Sequence, residues 1–250
     1  MHRIVKKDNI KIILILNILL IFFLCVMFFS FYKIYLWQKD NKENSDLINS
    51  IAEYSKEEVI SNTISNNEIK IDFDGLYTIN KDIVAWIKVN GTNINYPVVK
   101  TTNNDFYLNH NFSKKSNSAG AIFMDYRNNL ENDRNIVFYG HNRKDGTMFG
   151  SLKNCLNKEW CENEKNRTII VSYPNKNVKY EVFSVYSIEN EEYYLDTNFS
   201  TSEEFNLFLN KIKERSVYDF DVDLDSTEEI ITLSTCGITS KTRVVLHAKK

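Results

Sequence analysis

The chain has 250 residues, 43% of them hydrophobic and 26% charged, with only 7 glycines and 2 prolines. That composition suits a globular protein and excludes wholesale disorder, a collagen-like repeat or a multi-span membrane chain. Net charge is −2, but residues 1–40 carry six Lys/Arg against Asp8 and Asp40, leaving 25 basic and 31 acidic residues in the rest; an acidic remainder speaks against nucleic acid as a partner, because neutralising phosphates takes a basic face.

In chain order, residues 12–32 read IILILNILLIFFLCVMFFSFY, uncharged and interrupted only by Asn17 and Ser30. At about 1.5 Å per residue this run crosses a ~30 Å hydrocarbon core as one helix. A cleaved signal peptide would end in small residues, whereas this run continues into Phe31, Tyr32, Lys33 and Ile34, so a retained anchor is expected. Basic residues are denser before the span than after it, which places the N-terminus in the cytoplasm and the rest outside. The boundaries read from this are a cytoplasmic tail over 1–11, a transmembrane signal anchor over 12–36, a polar helical stalk over 37–70 and one domain over 71–250. Within the stalk, Leu47, Ile51, Tyr54 and Glu58 stand at helical spacing.

From Ile83 the pattern changes to that of short strands. VAWIKV and TNINYPVV flank Asn90-Gly91, a tight hairpin signal. AIFMDYR, NIVFYG, RTIIVSY, VKYEVFSVYSI, EIITLSTC and TRVVLHA follow as further strands. Between the last groups, Thr201 and Glu204 form a capping box for a helix with Phe205, Phe208, Leu209 and Ile212 on one face. Many short strands with few helices predict a mainly β fold built as a closed or nearly closed barrel.

Beyond the span, which holds Cys25, there are three cysteines, Cys155, Cys161 and Cys236, so they cannot all pair internally. If LKNCLNKEWCEN is helical, Cys155 and Cys161 are separated by a rise of about 9 Å, too far for a disulfide, and two unpaired structural thiols are expected. Cys236 stands at a strand end just before a glycine, with Thr232 and Ser234 on the same face by alternation. His141 follows Gly140 at another strand end, and Arg243 opens the strand after the turn that follows Cys236. A thiol, an imidazole and a guanidinium could therefore meet at one rim. Spacing alone leaves the bland readings open: a buried cysteine, a surface histidine, a solvated arginine.

TLSTC (232–236), with Arg243 on the next strand and Tyr139-Gly140-His141 upstream, resembles the signature of sortases, the cysteine transpeptidases of Gram-positive cell surfaces. The serine in TLSTC, AIFMDYRN (121–128), the HN…GTMF stretch (141–149) and the helix after Thr201 are similar to class B in particular. The match runs from about residue 75 to the C-terminus. It implies an eight-stranded barrel with N-terminal helices, making 71–250 the catalytic domain. It also implies that Cys236 is the nucleophile, His141 the acid/base and Arg243 the clamp for the oxyanion and peptide backbone. Asn104, Leu108, Tyr194, Leu195 and Ser234 match positions that line the sorting-signal groove. Leu195 replaces an isoleucine of that pattern, and Asn190 stands where a threonine is expected. The implied partners are surface proteins bearing an NPQTN-like or PxTG-like signal and a peptidoglycan precursor or other cell-wall amine; no cofactor and no metal are expected. His247 is the runner-up acid/base, His110 reads as a loop histidine, and Glu189, Glu191 and Glu192, although similar in type to the calcium ligands of class A sortases, read as a solvated charge run. Two other functions remain to be weighed: a cysteine peptidase that releases its acyl group to water, and an anchored binding module without catalysis.

Overall fold

The computed structural model describes residues 2–59, 67–189, 191–236 and 242–250. The chain divides into two compact units, Met1–Glu43 and Asn44–Lys250. Helix α1 (His2–Ala52) contains the first unit, and its apolar residues from 10 to 35 are exposed, as a stretch facing lipid would be. It is long and apolar enough to cross a membrane.

The helical expectation for residues 37–70 holds only to Ala52. Tyr54 N–H donates to Ile51 C=O and closes the helix, and β1 (Ser55–Val59) then pairs antiparallel with β2 (Asn67–Ile71). The spacing of Leu47, Ile51 and Tyr54 does reflect one packed side, since Ile51 is fully buried and the other two pack beside it, but Glu58 lies beyond the helix on a strand. Two short charged segments pair here as antiparallel strands, a pairing invisible to a local pattern.

The remaining elements are α2 (Phe73–Ile79), β3 (Ile83–Val89), β4 (Asn95–Val99), β5 (Ile122–Met124), β6 (Asn135–Gly140), α3 (Lys158–Glu162), β7 (Thr168–Tyr173), β8 (Lys176–Glu189), α4 (Ser202–Glu214), β9 (Ile230–Cys236) and β10 (Thr242–Lys249). The last eight strands close into a barrel in the order β10-β8-β7-β3-β4-β5-β6-β9, the eight-stranded architecture expected. Closure leaves the barrel itself no free edge. Gly91 takes φ +68° in the turn between β3 and β4, where a side chain would also collide with Asn166, so the Asn-Gly signal has a steric cause. The core is filled by residues of these strands together with Phe205, Phe208, Leu209 and Ile212 of α4. That helix begins at Thr201, whose hydroxyl accepts from Glu204 N–H at 3.1 Å.

Two pairings position the site. β6 runs parallel to β9, with Gly140 opposite Thr235, and β9 runs antiparallel to β10, with Cys236 opposite Arg243. The C-terminal ends of β6 and β9 and the N-terminal end of β10 therefore share one rim.

Within the second unit, Ile51 is fully buried and Leu47 and Ile48 pack against the barrel core. A chain beginning at Asn44 is expected to be soluble and to melt cooperatively. One beginning after Ala52 should lose about 2–5 kcal/mol through the missing Ile51 alone. Thermal melts of the two truncations check this; equal melting temperatures would show that the 44–52 turns contribute nothing.

Candidate active site

The rim opens on a cleft of about 480 Å³ whose walls include Asn104, Leu108, His141, Leu195, Ser234 and Arg243. Six of the eight residues singled out in the sequence thus come together. Of the other two, Cys236 is fixed by its backbone as the last residue of β9, directly across the ladder from Arg243, and Tyr194 lies outside the cleft wall. Position 190, where the asparagine departs from the class B pattern, lies outside the described residues, as does the turn between Cys236 and Thr242.

His141 follows β6 and is half-buried. Its Nε2 lies 2.7 Å from the Leu108 carbonyl, an acceptor only, so Nε2 carries a proton and Nδ1 is the nitrogen left to gain or lose one. The approach of the 104–120 segment to this ring depends on Gly120, which has φ +64° and whose missing Cβ would stand 3.0 Å from the imidazole. After His141 the chain turns back through Asp145, which binds Arg143 Nη2 at 2.9 Å and the Thr147 hydroxyl at 2.6 Å. Burial pushes the Asp145 carboxyl up, but hydrogen bonds from Arg143 and Thr147 outweigh it and hold the group below the ordinary range.

Arg243 is half-buried and donates from Nη1 to the Tyr194 hydroxyl at 3.4 Å; that hydroxyl is 3.0 Å from Ser234 Oγ. Tyr194 itself is fully buried in the short 3₁₀ turn Tyr193–Leu195, among the residues of the barrel core. Its ring seals the barrel and its hydroxyl supports Arg243 and Ser234, whereas Leu195, next in sequence, faces the cleft. Tyr194→Ala should accordingly cost about 3–5 kcal/mol of stability as a cavity mutation. A calorimetric melt checks this; a near-native melting temperature with an altered peptide preference would return Tyr194 to the groove wall.

His247, the rival acid/base, has no access to the rim. It is fully buried, and a chain of hydrogen bonds fixes its tautomer. Asn135 Nδ2 donates to the Tyr194 and Asp196 carbonyls, so its Oδ1 accepts from the Thr232 hydroxyl at 2.7 Å. Thr232 must then accept from His247 Nδ1–H at 2.8 Å, and the unprotonated Nε2 accepts from Tyr186 Oη at 2.9 Å. Burial lowers the pKa of this imidazole to about 3, which keeps it neutral. His110 stacks on Phe106 with centroids 4.0 Å apart and bonds the Phe106 carbonyl, a loop histidine as expected.

Cys155 and Cys161 are buried and unpaired, in the 3₁₀ turn Leu152–Leu156 and in α3, and Cys161 Sγ donates to the Cys155 carbonyl at 3.2 Å. Burial pushes both thiols up, which leaves them protonated and poorly nucleophilic. Glu191 is committed to Arg215, with two contacts of 3.0 and 2.9 Å.

Sequence reading missed part of the cleft. Asp105, Phe123, Tyr126, Arg127, Tyr139 and Glu192 also line it. AIFMDYRN was legible as a family stretch, but no local pattern says that its Tyr126 and Arg127 turn toward the rim.

A family model for the sortase domain matches residues 87–250. Over most of its length the chain is similar to sortase B of Listeria monocytogenes, at 35% identity covering 90% of this chain and 92% of that protein. It is also similar to sortase B of Staphylococcus aureus, at 33% identity covering 96% of both. Among solved structures, sortase B of Bacillus anthracis superposes with a TM-score of 0.73 at 38% identity, covering 84% of this chain and 97% of that one. Clostridium perfringens sortase B gives 0.68 at 40% identity, covering 71% and 98%. The chain belongs to the sortase family, and within it to the sortase B type. It is a cysteine transpeptidase, of a family that anchors proteins to the cell wall by acting on sorting-signal substrates and cell-wall precursors.

Proposed function

We propose that this chain is a single-pass membrane enzyme, N-terminus inside and catalytic domain outside, that cleaves an NPQTN-like or PxTG-like C-terminal signal after its threonine and joins that threonine to a cell-wall amine. The observation that carries the reading is the shared rim, where β9 ends at Cys236 directly across the ladder from Arg243 and beside the end of β6 that leads into His141, with His141 and Arg243 lining the cleft. In this mechanism the Cys236 thiolate attacks the threonine carbonyl carbon, and the C=O electron pair moves onto oxygen. Arg243, planar and always charged, faces that oxyanion with its forked donors. Collapse breaks the C–N bond and leaves a thioester on Cys236, while His141 gives its Nδ1 proton to the departing amine. An incoming amine attacks the thioester, passes a proton back to His141 and releases the thiolate, so each proton and electron pair is accounted for. The Leu108 carbonyl supports this role by holding Nε2–H, which leaves Nδ1 for the transfer.

Mass spectrometry of the protein mixed with a panel of NPQTN-like and PxTG-like peptides, with and without an added amine, tests the reading. A Cys236 acyl adduct resolved by the amine is expected. An adduct resolved only by water would make the protein a peptidase, and no adduct with any peptide would leave an anchored binding module.

A further inference from the structure

Asp125 follows β5 and is fully buried, yet it bears a charge. Leaving an ionised carboxylate in the interior is costly unless donors surround it, and here five do. Oδ1 accepts from Arg127 N at 2.9 Å and Arg127 Nε at 3.0 Å. Oδ2 accepts from Arg127 Nη2 at 2.9 Å, the Tyr139 hydroxyl at 2.8 Å and Asn104 Nδ2 at 3.2 Å. Burial acts to raise this carboxyl, but the Arg127 hydrogen bonds prevail and hold it below the usual range.

The partners of this one group belong to different walls of the cleft. Asn104 stands on the loop that also carries Leu108, and its Oδ1 accepts from Tyr126 N–H at 3.0 Å, presenting the exposed Tyr126 ring at the cleft. Tyr139 lies on β6 two residues before His141. Arg127 spans the gap: its Nη2 also donates to the Leu195 carbonyl at 3.0 Å, on the opposite wall.

We propose that Asp125 is a positioning residue for substrate binding, its buried carboxylate joining the Asn104–Leu108 loop, β6 and, through Arg127, the Tyr193–Leu195 turn into one rigid groove. Asp125 does not touch substrate. It sets the separation of the walls that do, and the two bonds at its fork with Arg127 fix the guanidinium that reaches Leu195. The proposal rests on reading this cleft as the peptide groove, and a rigid groove lowers the ordering cost of binding an extended peptide.

The test compares detergent-solubilised full-length wild type with Asp125→Asn, which keeps the shape and removes the charge. Peptide kinetics, thermal melts and amide hydrogen exchange are measured on both. KM is expected to rise about tenfold with kcat within about threefold, and exchange to accelerate at residues 104–108 and 193–195 while β6 and β9 keep their protection. A lowered melting temperature with KM within about twofold would reduce Asp125 to a structural ion pair and overturn the proposal, as would a fall in kcat at unchanged KM. If wild type turns over no peptide, the sorting-signal reading fails on its own; exchange then decides the matter for Asp125, and unaltered exchange at both walls overturns it. Should Asp125→Asn fail to fold, Tyr139→Phe and Arg127→Lys each remove part of the network, and the same pattern with KM up by about threefold is required of them.

Discussion

Cys236→Ala is expected to bring peptide cleavage down to background, a loss of about 10⁴-fold or more, with the melting temperature close to that of wild type. The substitution removes one sulfur at the end of β9 and leaves the backbone pairing with Arg243 in place. No other cysteine is suited to take over. Cys155 and Cys161 are buried and held protonated, and Cys25 lies in the apolar stretch of α1. His141→Ala in the same assay should lose about 10²–10⁴-fold, because the leaving amine then departs without a proton. Substantial turnover by the Cys236 variant would move the nucleophile elsewhere and undo the proposed mechanism.

The barrel was legible because its strands are dense in Val, Ile, Tyr and Phe and bounded by turn residues; β6, β7 and β10 fall within a residue of the runs read from the sequence. A closed or nearly closed barrel followed from the many short strands, but the count of eight came only through the family resemblance, since no local pattern states which strand meets which. The β1–β2 hairpin was missed because SKEEV has neither alternation nor β-branched weight, and it pairs only because NEIKI returns beside it. Tyr194 and Leu195 could not be told apart, since the three-residue 3₁₀ turn buries both and leaves only Leu195 also lining the cleft. The Asp125 network is unreadable in principle from spacing. Its carboxylate meets Asn104 across 21 positions, and Arg127 meets the Leu195 carbonyl across 68. Such contacts exist only once the barrel has closed.

Arg243→Lys is the sharper test of how the rim works, because it keeps the charge and discards the geometry. If positive charge alone stabilised the developing oxyanion, a lysine at the head of β10 would do nearly as well. The arrangement argues otherwise. Arg243 is held on β10 opposite Cys236, and its Nη1 is engaged by Tyr194, whose hydroxyl in turn meets Ser234. A guanidinium carries its N–H donors in one rigid plane, a geometry suited to an oxyanion and a peptide carbonyl at once. A lysine ammonium is a mobile point charge and cannot hold that pair of directions. Loss of one preorganised donor costs about 10²–10³ in rate, and Arg243→Lys is expected to fall in that range for kcat/KM. The loss should appear in the rate of acyl-enzyme formation followed by rapid-quench mass spectrometry, with the melting temperature little changed, because both side chains at this half-buried position lie outside the barrel core. A lysine variant within about threefold of wild type would show that charge suffices and that the fork contributes nothing to the reaction.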